Sequence, residues 1–171
     1  MTSTIAIVGC GSAKQPAGLH EARDLYTGSL FRAARQHVEA QAVPWAILSA
    51  RWGLMSRRQV LAPYDYCMAD RAREAKAAPD EHRRWMLRLG GGLMQAIQNG
   101  WLGRATGWPD HVRLEVHAGA AYVDAVEAAL THCGERSTMD GRPLRVDVVA
   151  PLAGLQLGER LAWYARAREA A

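Results

Sequence analysis

Three short apolar runs each end in a residue that could do chemistry: Cys10 after Ile5–Gly9, Ser49 at the end of Trp45–Ser49, and His117 at the end of Val112–His117. A thiol, a hydroxyl and an imidazole can act as nucleophile, hydrogen-bond donor or proton carrier. Around Cys10 stand Gly9, Gly11, Ser12 and Lys14. The glycines free the backbone for tight turns and Lys14 offers a cation, but neither a Walker A loop nor a GxGxxG pattern is present. Taken singly, Cys10 reads most simply as a small buried hydrophobe. Ser49 leads through Ala50 to Arg51 and Trp52, and on to Pro63-Tyr64-Asp65, so one loop system carries a cation, two aromatics and a carboxylate. Between these runs lies Asp24-Leu25-Tyr26-Thr27-Gly28-Ser29, where Tyr26 could stack on a base and Ser29 could cap the helix that follows. Tyr122 follows His117 on the next helical pattern.

The elements that must position these residues alternate. A fourth run, Leu144–Ala150, joins the other three as a short, partly β-branched strand. Helical periodicity covers Leu30–Ala42, Ala121–His132 with Gly134 as its stop signal, and Leu157–Arg168. Near-continuous apolar strands separated by helices predict one α/β domain over residues 1–171. Its form is a three-layer α/β/α arrangement with a mainly parallel, four-stranded sheet. Ligands of such sheets bind beyond the carboxyl ends of the strands, which is where Cys10, Ser49 and His117 fall. Residues 68–108 read as a basic helical insertion carrying Arg71, Arg73, Lys76, Arg83, Arg84 and Arg88, with Trp85, Met86 and Leu89 among them. It reads first as an exposed helix with a solvated charged face, and second as a surface tracking a phosphate backbone. Gly90-Gly91-Gly92 predicts a break there, or a close backbone approach to a neighbour or ligand.

Composition narrows the classes. A hydrophobic fraction of 49% and a charged fraction of 22% over 171 residues are those of a globular chain. No apolar run is long enough for a membrane span and no leader pattern opens the chain, so a cytoplasmic protein is expected. Three scattered cysteines, with no paired Cys/His spacing, argue against both a disulfide framework and a zinc site. The net charge of +4 permits nucleic-acid binding without demonstrating it, and a GC-rich genome would also explain the arginine excess.

The run Leu48-Ser49-Ala50-Arg51-Trp52-Gly53-Leu54, with Leu61-Ala62-Pro63-Tyr64-Asp65, resembles the signature of bacterial and phage proteins grouped with the peroxide-stress protein YaaA. Val8-Gly9-Cys10 with Lys14, Leu25 to Phe31, and Pro151 to Leu155 with Gly158 and Trp163 resemble further blocks of that set. The resemblance implies a uracil-DNA-glycosylase-like fold, shared with phage-defence glycosylases of the Brig type. One departure stands out. The glycosylases place a water-activating Asp soon after strand one, whereas this chain has Gly9-Cys10-Gly11-Ser12.

The resemblance therefore implies hydrolysis of an N-glycosidic bond in DNA, with a flipped-out base and an abasic product. Asp65 or Asp24 would supply the carboxylate, and His117 and Ser49 would stabilise the leaving group. Tyr26, Tyr64, Trp52, Cys10 and Tyr122 would surround the base. Lys14, Arg51 and Ser29 would hold phosphates, with Arg83 and Arg84 further out. The expected partner is double-stranded DNA, bound by a monomer, and the chemistry calls for no metal or organic cofactor. Two other readings compete: a non-catalytic DNA-binding stress protein, and an enzyme of free nucleosides or nucleotides.

Overall fold

A computed structural model describes residues 2–98, 111–133 and 143–169. The predicted stop at Gly134 and positions 99–108 of the basic segment lie outside them. The strands are β1 (Thr2–Gly9), β2 (His20–Glu21), β3 (Trp45–Ser49), β4 (Gly53–Ser56), β5 (Val60–Leu61), β6 (His111–His117) and β7 (Arg145–Val149). The helices are α1 (Ala22–Leu25), α2 (Ser29–Ala40), α3 (Met68–Ala77), α4 (Pro79–Gln98), α5 (Ala120–His132) and α6 (Leu157–Glu169). All four predicted strands form, as β1, β3, β6 and β7.

Among the described residues the central sheet has five strands in the order β4-β3-β1-β6-β7, one more than expected. The additional strand, β4, is antiparallel to β3, pairing Ser49 with Gly53 and Ala46 with Ser56. Gly53 adopts φ +79°, a left-handed angle that lets the chain reverse directly after Trp52. That reversal turns a segment read as loop into an edge strand. The other three pairings are parallel: β1 with β3, β1 with β6, and β6 with β7.

Both faces of the sheet are covered. On one, Phe31, Ala34 and Val38 of α2 and Tyr164 of α6 pack on Ala6, Val8 and Ile47. On the other, Trp85, Leu89 and Leu93 of α4 and Val126, Ala129 and Leu130 of α5 pack on Ile7, Leu48, Leu114 and Val116. Fully burying each such side chain is worth about 1.5–3 kcal/mol. The segment after Met68 is therefore two helices, of which α4 supplies part of a core layer. Trp85 is wholly buried rather than part of a solvated face.

The glycine run does not break α4. It marks a close approach instead. A Cβ on Gly90 would sit 2.9 Å from Cys133 Sγ, and one on Gly92 would sit 3.1 Å from Leu54 Cβ, so glycine lets α4 lie against α5 and β4. Packing on both neighbours offsets the weak helix propensity of the run. No helix among the described residues is long and apolar enough to cross a membrane.

Strand β1 leads through α2 to β3, while its neighbour β6 leads through α5 to β7. Because α2 and α5 lie on opposite faces, the connections leave β1 and β6 in opposite directions. This is a topological switch point, and a crevice is expected just beyond it.

Candidate functional site

The crevice is present. It encloses about 170 Å³ and is lined by Cys10 and Gly11 after β1, Phe31 and Ala34 of α2, His117 at the end of β6, and Tyr122 of α5, among others. Its floor depends on Gly9, where an added Cβ would come within 2.7 Å of Ala118 Cβ and 3.6 Å of Tyr122. Gly9→Ala must push the ends of β1 and β6 apart, and overpacking of this kind destabilises by roughly 1–3 kcal/mol. A lowered urea midpoint and weaker binding of any crevice ligand are the expected results; an unchanged midpoint would contradict the packing described.

Cys10 forms part of the wall. Its N–H donates to Leu48 O at 2.9 Å, tying the exit of β1 to that of β3, and its Sγ lies 3.2 Å from Tyr122 OH. All three cysteines are free thiols. Burial, with Cys10 alongside, drives the Tyr122 phenol well above its ordinary value, so it remains a protonated donor.

Beside the crevice, the β3–β4 turn organises a chain of hydroxyls. Ser49 Oγ accepts N–H bonds from Arg51 and Trp52, each 3.1 Å long, which closes the turn with a local side-chain cap. Ser49 Oγ lies 2.7 Å from Tyr64 OH, and Tyr64 OH lies 2.7 Å from Tyr26 OH. With both Ser49 lone pairs occupied, its proton goes to Tyr64, which shares a further hydrogen bond with Tyr26. Burial pushes Tyr64 up to about 12, and burial also raises Tyr26 strongly, so both stay protonated.

Two cations flank this chain. Lys14 Nζ lies 4.6 Å from the Tyr64 ring centroid, and the Arg51 guanidinium is 5.0 Å from Trp52 and 5.8 Å from Tyr64. Neither has an ion-pair partner among the described residues. Trp52 is 43% exposed, a large aromatic surface left open beside them. Tyr26 differs. At 2% exposure it is a buried member of the hydroxyl chain, not a stacking platform. Ser29 is exposed and opens α2, whose cap residue is Gly28, with no side-chain cap bond, so capping does not explain it.

His117 lines the crevice, yet both its ring nitrogens face into the protein. Nδ1 lies 3.0 Å from Tyr164 OH, and Nε2 lies 3.8 Å from Glu115 Oε2 with no hydrogen-bond partner. Burial, then neighbouring His37 at 5.4 Å between centroids, lowers its pKa to about 4. The imidazole is neutral at pH 7 and serves as a wall and anchor.

Neither predicted carboxylate lines the crevice. Asp24 is paired with Arg35 at 2.7 Å, with Arg23 at 3.6 Å. Asp65 is exposed on the loop next to Tyr64. The carboxylate that approaches a lining side chain is Glu115, which the sequence did not single out although its two-residue spacing from His117 on a strand puts both on one face. Arg83 and Arg84 are exposed on α4, each beside a carboxylate one turn earlier, Asp80 and Glu81. Among the described residues no group of His, Cys, Asp and Glu side chains could hold a metal ion.

Arg71 is the other residue missed. It is 5% exposed, donates from Nε and Nη2 to Ala50 O at 2.9 and 2.8 Å, and pairs with Glu74. Its guanidinium lies 4.9 Å from the Tyr66 ring and 5.0 Å from Trp85, whose Nε1 donates to Ser49 O at 3.4 Å. A residue read as part of a basic surface thus fixes the turn that presents Arg51 and Trp52.

Fold and geometry together define an α/β protein with a crevice at a switch point and an aromatic, cationic rim. Residues 5–166 match a family of unknown function, DUF6884, and the chain belongs to that family. No curated protein and no solved structure matches the chain.

Proposed function

We propose that the protein is a DNA glycosylase, a monomer that takes a flipped nucleobase into the β1/β6 crevice and cleaves its N-glycosidic bond. One observation carries the reading: a crevice on the scale of a single base opens beside an exposed tryptophan and two cations without carboxylate partners. The sequence resemblance to uracil-DNA-glycosylase-like proteins supports it, as does the parallel sheet enclosed by helices. Stacking on Trp52 would hold a neighbouring base, and Lys14 and Arg51 would hold the phosphates on either side.

The cleavage step builds negative charge on the departing base and positive charge on the sugar. Tyr122, which lines the crevice and is held protonated, is a donor able to take up the charge on the base. Asp65, adjacent to Tyr64 and free of the ion pairing that occupies Asp24, is the carboxylate available to balance the sugar and direct water. Incubation with DNA carrying modified bases, followed by scoring of abasic sites, tests this. Wild type should produce abasic sites, with a reduction of about a hundredfold or more in Asp65→Asn, in the range for removal of a general base.

A second reading has its own observation: no acidic side chain among the described residues lines the crevice. On that reading the protein binds DNA without cleaving it. Tight, salt-dependent binding with no abasic product from any substrate would select it and end the glycosylase reading.

Both readings make the same demand of the rim. Replacing Lys14 and Arg51 together by alanine should flatten the dependence of log affinity on log salt by about two, near one for each phosphate no longer neutralised. Filter binding across a salt series measures this, and an unchanged slope would remove the two residues from the interface.

A further inference from the structure

A second cleft lies at the opposite end of the β3–β4 hairpin from the crevice. It encloses about 210 Å³ and is lined by Pro44 and Trp45 at the start of β3 and by Ser56, Arg57 and Arg58 at the end of β4. The antiparallel register that sets Ala46 opposite Ser56 brings Arg57 opposite Trp45, and the guanidinium lies 5.7 Å from the indole ring. Trp45 is only 6% exposed, yet its Nε1 has no acceptor among the described residues. Proteins rarely bury a donor without a partner, so an indole N–H left over at a cleft signals an acceptor supplied from outside.

The charge points the same way. Neither Arg57 nor Arg58 has an ion-pair partner among the described residues. Arg23, whose N–H donates to Arg57 O, has Glu21 at 2.8 Å, and Asp24 pairs with Arg35 at 2.7 Å. The carboxylates of this region are therefore engaged. Ser56 Oγ accepts the Arg58 N–H at 3.3 Å and keeps its own proton to donate. The cleft offers two guanidiniums and a hydroxyl over a buried indole N–H, and no carboxylate among the described residues lines it.

We propose that this cleft is a second, separate oxyanion site that takes a phosphate group, held by Arg57 and Arg58 with the Trp45 N–H and Ser56 hydroxyl completing the donor set. Paired guanidiniums match the fork geometry of phosphate oxygens, which a single ammonium does not. The proposal does not rest on the crevice reading, because no residue is shared between the two sites.

The test follows the indole N–H resonance of Trp45 in the full-length protein labelled with nitrogen-15, titrated with inorganic phosphate against sodium chloride at matched ionic strength. The expected result is a saturable shift specific to phosphate, complete below about 10 mM. In Arg57→Gln/Arg58→Gln the same titration should show at least about tenfold weaker binding, with an unchanged melting temperature. No shift in wild type, or the same shift with chloride, overturns the proposal without need of any variant. A variant that folds and binds phosphate as wild type does so too. A short duplex oligonucleotide added to the phosphate-bound protein then identifies the source. Displacement of phosphate assigns the site to a nucleic-acid backbone, and failure to displace assigns it to free phosphate or a nucleotide; the oxyanion site stands in both cases.

Discussion

Arg71→Ala should destabilise the protein by about 3–5 kcal/mol, the range seen when one partner of a buried ion pair is removed. The side chain is almost wholly buried, and its removal leaves Ala50 O without its two donors and Glu74 without its cation. It also empties the space between the Tyr66 and Trp85 rings. Arg71→Lys keeps the charge but cannot reproduce the fork, so it should recover only part of the stability. Chemical denaturation measures the stability term, and, on the DNA-binding reading proposed above, DNA affinity measured well below the melting temperature reports the position of the turn. Both should fall together, because Ala50 is the residue between Ser49 and the Arg51-Trp52 pair. A change within about 0.5 kcal/mol would place Arg71 among ordinary surface positions and contradict the described clamp.

Acid should destabilise the fold through His117. The folded protein holds this imidazole near 4, below its free value of 6.5, because of burial and the adjacent His37. Between those values the unfolded chain binds a proton that the folded chain refuses, so stability rises with pH across the window and is fully present above 6.5. The full span corresponds to roughly 3 kcal/mol. His37, also lowered by burial and opposed by Glu115, acts in the same direction. Urea midpoints of wild type and His117→Gln, compared at pH 7 and pH 4.5, isolate the contribution. The variant should be less stable at neutral pH, where it lacks the Tyr164 bond, and should lose less stability on acidification. Parallel pH profiles for the two proteins would refute the assignment.

Much of the fold was legible in the sequence because parallel strands buried on both faces are continuous apolar runs. Four of the five sheet strands stand where Ile5–Gly9, Trp45–Ser49, Val112–His117 and Leu144–Ala150 place them. Strand β4 was hidden because its existence depends on a single left-handed residue, Gly53, inside a stretch whose residue types suggested a loop. The glycine run in α4 misled for the opposite reason. Local propensity favours a break, but tertiary packing on α5 and β4 prevails.

The location of the crevice was legible too, since Cys10 and His117 both line it and Ser49 anchors the adjacent hydroxyl chain. The roles of individual side chains were less so. Tyr26 and Tyr64 are 38 residues apart in sequence, and only folding joins their hydroxyls. Nothing near Arg71 in sequence announces that its acceptor is Ala50, 21 positions earlier. Asp24 looked available until Arg35 proved to hold it.

The claim on which most depends is that a base enters the crevice between β1 and β6. Mass spectrometry of free bases released from modified DNA, run on wild type and Gly9→Ala at equal DNA occupancy and below both melting temperatures, tests it most directly. Wild type should release a base, and the variant, its crevice distorted by a Cβ directed at Ala118, should release none while binding duplex within a few-fold of wild type. Equal release by the two proteins would place the chemistry elsewhere. No release by wild type from any modified DNA would contradict base excision by this protein altogether.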